Sequence, residues 1–173
     1  MEPQEAARAV ADADDRENAD RAARLVEMDA ILPDDVVGFS GQAADWLFED
    51  VKATWIYGYF TATVLTAHAF CMQQLAGLVR MLPDDPDLPE EMTSLEELAE
   101  IAHDCGLIDV DHQAELLNLH DIATMYRTSG LHEYSMRIER RVLEAEQFTD
   151  EHALVNDART ALRCSVALLH RRA

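Results

Sequence analysis

At 173 residues the chain is long enough for one domain with a single buried core and too short for two ordinary ones. Six Gly and five Pro, set against an abundance of Ala, Leu and Glu, favour an all-α domain over a sheet. Its 34 acids outnumber 14 bases for a formal charge of −20, and Lys52 is the one lysine.

Such a balance fits either a solvated acidic face or adaptation to high salt, where dense carboxylates stay hydrated and their mutual repulsion is screened. We favour the halophilic interpretation. The imbalance is uneven: residues 1–126 hold 27 acids and 6 bases, whereas 127–173 hold 7 acids and 8 bases. Cys71, Cys105 and Cys164 are odd in number and widely spaced, which argues against a disulfide framework or a zinc site and for buried thiols in a reducing compartment. The opening Met-Glu-Pro-Gln-Glu has neither a basic n-region nor an apolar h-region, so a cytoplasmic location is expected.

Residues 3–31 read as a weakly amphipathic helical arm anchored by Ala6, Val10, Leu25, Met28 and Leu32, either docked or partly frayed. Pro33, Asp34 and Asp35 stop it, giving an acidic arm over 1–34 and a bundle domain over 35–173. Trp46, Leu47, Val51, Trp55 and Ile56 then recur at helical spacing up to a turn at Gly58. Beyond it, Phe60, Val64, Ala67, Cys71, Leu75, Leu78 and Leu82 mark one face of a helix, and Leu65, Met72 and Val79 another. A helix apolar nearly all round is expected at the centre of the bundle.

No formal charge interrupts 53–79, a length that could span a bilayer. Thr54, Thr61, Thr63, Thr66, His68, Gln73 and Gln74 break its apolarity, however, and no basic flank adjoins it, so a core hairpin without membrane contact is expected. His68 within it reads as a satisfied core histidine.

The prolines at 83, 86 and 89 forbid helix continuation. Ser94-Leu95-Glu96-Glu97 is a capping box opening a helix that Gly106 ends. A further helix from about Asp109 presents Leu116, Leu119, Ala123 and Tyr126 and carries Arg127 at its C-terminal end, on the side of His120 and Ala123. Residues 135–147 are highly charged and fit either a helix or an irregular excursion. Thr149-Asp150-Glu151 caps a last helix carrying Leu154, Ala158, Leu162, Val166 and Leu169. The whole is an up-and-down bundle of about five helices with an N-terminal helical arm.

Chemistry concentrates at Tyr126-Arg127-Thr128-Ser129-Gly130-Leu131-His132-Glu133-Tyr134. Arginine stays charged and forks onto phosphate oxygens, while histidine can take and return a proton near neutrality. Gly130 suits a helix end, leaving His132 just past the break and free to turn back toward Arg127. Together the two residues suit phosphodiester cleavage. Arg163 and His170 form a competing copy of this spacing, without a helix break before the histidine. His112, His120 and Asp121 read as solvent-facing or supporting residues, not metal ligands, and neither metal nor cofactor is expected.

The order of these features resembles the HEPN superfamily (higher eukaryotes and prokaryotes nucleotide-binding) of small helical bundles, over residues 36–172. Ala53 to Ala62 is similar to its first helix pair with a glycine-aromatic joint, and Arg127 to His132 fits its arginine, four to six residues, histidine signature. Tyr134 extends the match to the histidine-any-tyrosine form of toxin members, and Leu95 to His132 resembles the helix, turn and helix before the signature. Thr128 stands where the family often has asparagine or another polar residue, and 135–148 is longer than a compact member needs.

The resemblance implies metal-independent RNA cleavage at a homodimer interface. Arg127 would hold the scissile phosphate and His132 would act as general acid/base, with Thr128 and Tyr134 lining the site. In some toxin relatives the equivalent tyrosine is adenylylated by a partner nucleotidyltransferase antitoxin. A catalytically silent nucleotide-binding or dimerisation module is the alternative.

Overall fold

The computed structural model describes residues 3–32, 40–82, 94–128 and 150–169. Among these the chain is all-helical, with six helices and no strand: α1 (Pro3–Ile31), α2 (Gln42–Ile56), α3 (Phe60–Arg80), α4 (Leu95–Asp104), α5 (Val110–Thr128) and α6 (Asp150–Leu169). An all-α bundle is therefore what the composition and periodicity specify.

Helix ends form where the sequence supplies end chemistry. After α2, Gly58 takes a left-handed φ of 74°, which lets Tyr59 N–H reach Thr54 O (2.9 Å) and Gly58 N–H reach Trp55 O (3.0 Å). Those two bonds satisfy carbonyls that a helix C-terminus otherwise leaves open, and Gly106 repeats the device after α4. Ser94 Oγ accepts from Glu97 N–H at the start of α4, as the capping pattern requires. The α5 helix begins behind Asp109, whose carboxylate accepts from His112 N–H (2.9 Å).

The central helix is α3, which packs against α2, α4, α5 and α6. Its uncharged run is long and apolar enough to cross a membrane by composition, yet 67% of that stretch is buried against protein. The polar residues within it are matched: Thr63 and Thr66 hydroxyls donate to Tyr59 O and Ala62 O, and Gln74 Oε1 accepts from Ser40 N–H (2.9 Å). A buried core helix tolerates such groups because backbone and neighbours satisfy them.

Gly77 is where the chain entering α2 crosses α3. A Cβ there would lie 2.2 Å from Ser40 Cβ, while Ser40 Oγ donates to Gln73 O (3.3 Å). We expect Gly77→Ala to push the 40–41 segment off α3 at a cost of about 1–3 kcal/mol by chemical denaturation, and an unchanged midpoint would contradict that close approach.

Two residues expected as anchors are exposed. Trp46 is 62% exposed and Leu25 is 43% exposed, because α2 turns Ala44 and Phe48 inward together with the expected Val51 and Trp55, and α1 buries the expected Met28. The C-terminal part of α1 docks: Trp55 Nε1–H donates to Arg24 O (3.1 Å), Arg24 Nε–H donates to Ile56 O (2.9 Å), and Arg159 of α6 pairs with Glu27. Residues 13–20 are exposed on every side. Since the Arg21 guanidinium lies over Tyr57 at the α2–α3 turn, the residues before it carry α1 about 27 Å past that turn at 1.5 Å per residue.

Direction matters for the site. Cys164 Sγ approaches Glu115 O and Tyr126 donates to Asp157, so α5 and α6 run antiparallel and the C-terminal end of α5 meets the beginning of α6. The Arg159 guanidinium sits 5.8 Å from the Trp55 ring, bringing the α2–α3 turn to the same end of the bundle. Arg127 therefore shares that end with Tyr57 and Tyr59.

Candidate functional site

Arg127 sits in the last turn of α5 and is an exposed residue. Its guanidinium Nη2 lies 3.1 Å from Nδ1 of His68, a residue 1% exposed in the middle of α3. On the far side of the same ring, His68 Nε2 lies 3.2 Å from Nδ1 of His120, two turns before Arg127 on α5. The two imidazoles are 5.4 Å apart between centroids and tilted by 34°. Three basic side chains from two helices thus form one line.

Arginine has donors only, which fixes the direction of every link. Arg127 donates to His68 Nδ1, so the proton of His68 resides on Nε2 and is donated to His120 Nδ1. His120 in turn carries its proton on Nε2, which has no hydrogen-bond partner among the described residues. Protonating His68 would set an N–H against the Arg127 N–H. Burial first, then the Arg127 charge and the second imidazole, accordingly bring the His68 pKa down from 6.5 to about 4.

This arrangement keeps Arg127 available. Arg21 and Arg159 are paired with Glu17 and Glu27, whereas Arg127 has no carboxylate within ion-pair distance among the described residues. A neutral imidazole orients the guanidinium without cancelling its charge, and that leaves the remaining N–H groups for an anion. Tyr126 beside it is held by Asp157 (3.2 Å), which steadies the same end of α5. Thr128 is exposed and donates to Thr124 O (2.7 Å), so its hydroxyl is occupied by the helix.

His132 and Tyr134 lie outside the described residues, as do Gly130 and 135–149. Of the competing pair, Arg163 is exposed on α6 and His170 lies outside the described residues. Apart from His68 and His120, His112 Nδ1 lies 2.6 Å from Asp109 Oδ1 and His103 Nδ1 lies 3.7 Å from Asp104 Oδ1. Among the described residues no group of three or more His, Cys, Asp and Glu side chains is arranged to hold a metal ion.

The thiols divide two and one. Cys71 and Cys164 are buried, and burial pushes the first well above its ordinary pKa and the second up to about 12, which makes both poor nucleophiles. Cys105, expected to be buried, is exposed because it forms the C-cap of α4.

The His68–His120–Arg127 line escaped sequence reasoning in part. His120 and Arg127 were legible as one face of α5, and His68 as a satisfied core histidine. Their pairing depends on how α3 packs against α5, which no local spacing encodes. No protein-family model, curated protein or solved structure matches this chain.

Proposed function

We propose that this chain is a HEPN-like, metal-independent endoribonuclease of the toxin or host-defence type, acting in the cytoplasm as a homodimer. The observation that carries this is Arg127: an exposed arginine at a helix end whose guanidinium is held by a neutral imidazole, whereas Arg21 and Arg159 pair with carboxylates. In this mechanism Arg127 neutralises the phosphate, and His132, five residues on, removes the 2′-hydroxyl proton. The 2′-oxygen bonds to phosphorus, the bond to the 5′-oxygen breaks, and that oxygen leaves as a hydroxyl on taking a proton from the His132 imidazolium, which restores the neutral imidazole. Tyr134 and Thr128 line the site, and Tyr134 is the position an antitoxin nucleotidyltransferase would modify. The near-neutral 127–173 segment is where RNA meets least repulsion, and the acid-rich remainder accords with a high-salt setting.

The charge of −20 favours a second reading, a catalytically silent HEPN-like module that binds nucleotides or dimerises. RNA cleavage at molar salt separates the two. His132→Ala and Arg127→Ala are each expected to abolish cleavage without unfolding the bundle, with 2′,3′-cyclic phosphate products and no effect of EDTA. Inhibition by EDTA would indicate a metal mechanism, and equal inertness of all three proteins with unaltered dimerisation would establish the silent module.

A further inference from the structure

The His68 line ends in N–H groups at both ends: Arg127 retains unshared guanidinium donors on one side, and His120 presents Nε2–H on the other. A proton cannot travel along it, because the first step would strip a guanidinium that does not deprotonate in proteins. What it offers is hydrogen-bond donation to groups that only accept. Ionised phosphoryl oxygens are such groups, and charge-assisted donation to them is the strong kind.

A single phosphate does not explain both ends, since one imidazole stands between them and their Cα atoms are two helical turns, about 10 Å, apart along α5. We propose that His120 binds the phosphoryl group next to the one held by Arg127, and that buried His68 is the positioning residue that fixes the proton of His120 on its outward nitrogen. The ligand chemistry is two successive phosphoryl groups, as in an RNA strand or a nucleoside triphosphate. For the RNA strand this rests on the ribonuclease reading and adds a subsite to it. His120 Nε2 is suited to the role because it lacks a protein partner among the described residues while its other nitrogen is committed. His120 itself is half-buried, and its unpartnered Nε2 is not fully buried, so a ligand can reach that nitrogen while Nδ1 stays packed against His68.

The full chain can be tested with two ligands, a short fully 2′-O-methylated oligoribonucleotide that cannot be cleaved and ATP without metal. His120→Ala is expected to weaken binding of the oligoribonucleotide about tenfold or more, and His120→Gln, which keeps an N–H donor, to recover part of the loss. Because the lost donor is uncharged, the salt dependence of binding should stay unchanged, whereas Arg127→Ala should reduce the logarithmic salt slope by about 1. Imidazole nitrogen NMR of the ligand-free protein should find His120 protonated on Nε2, and His68→Asn should leave its two tautomers mixed, a signature that loss of packing alone would not produce.

A proton on His120 Nδ1 in the free protein, or undiminished binding of both ligands by His120→Ala, would overturn the proposal while leaving the ribonuclease reading intact. Dependence on His120 for ATP alone, with no oligoribonucleotide binding, would support the donor pair and overturn the ribonuclease reading. Wild-type protein that binds neither ligand would overturn both.

Discussion

Between pH 6.5 and pH 4 the wild-type protein should lose about 3 kcal/mol more stability than a His68→Asn variant. Above pH 6.5 the His68 imidazole is neutral in both folded and unfolded chains, so it contributes no pH dependence. As the pH falls below 6.5 the unfolded chain takes up a proton that the folded chain refuses until about pH 4, and the equilibrium shifts toward unfolding across that window. Below pH 4 both forms are protonated and the effect levels off. Carboxylates titrate over part of the same range, which is why the variant is the reference. Asn keeps an oxygen near the position of Nδ1 to accept from Arg127, and its smaller volume adds a loss that does not vary with pH. Urea unfolding at half-unit pH intervals would measure the difference, and parallel curves for the two proteins would show that His68 titrates normally.

The same residue marks how far the sequence could be read. Helix positions were legible because they follow from local chemistry: Gly58 and Gly106 supply left-handed backbone and Ser94 supplies a cap, while the prolines at 83, 86 and 89 lie outside the described residues. The centrality of α3 was equally legible, since a helix apolar on most faces can be satisfied only by neighbours on most sides. Trp46 and Leu25 show the limit of periodicity. Each lies at helical spacing from true core residues, yet the buried stripe is narrower than the apolar pattern, and the pattern alone does not say which edge faces solvent. Cys105 escaped for a related reason: free cysteine is commonly buried, but a cap position at the end of a short helix is not.

At the site, Arg127 was legible as the cation at the end of α5, and the chemistry expected of it follows from its side chain alone. What orients it was not. A buried imidazole with two ring nitrogens needs two partners, and both come from α5, 52 and 59 residues downstream. His68 was the one histidine in an uncharged run, which signals a polar neighbour without identifying it. His132 and Tyr134, proposed for the site from the sequence, lie outside the described residues.

Truncating Trp55 to alanine should be the most damaging change in the core, costing about 3–5 kcal/mol, a large share of the roughly 5–15 kcal/mol that holds a domain together. Trp55 is fully buried, meets Phe60 at 5.9 Å between ring centroids, and lies beneath the Arg159 guanidinium. It also holds α1 in place, because its indole N–H donates to Arg24 O while Arg24 reaches back to Ile56 O. Loss of the ring therefore removes packing between α2 and α3 and frees a carbonyl on α1 in one step. Trp55→Phe separates these contributions: it keeps most of the apolar volume and loses the hydrogen bond, for which about 1 kcal/mol beyond the packing loss is expected. Hydrogen exchange should then report faster opening of residues 24–31 in Trp55→Phe, with α3 still protected, and faster opening of both in Trp55→Ala. Exchange in α1 that is the same in wild type and both variants would mean that the Arg159–Glu27 pair, and not Trp55, fastens the arm to the bundle.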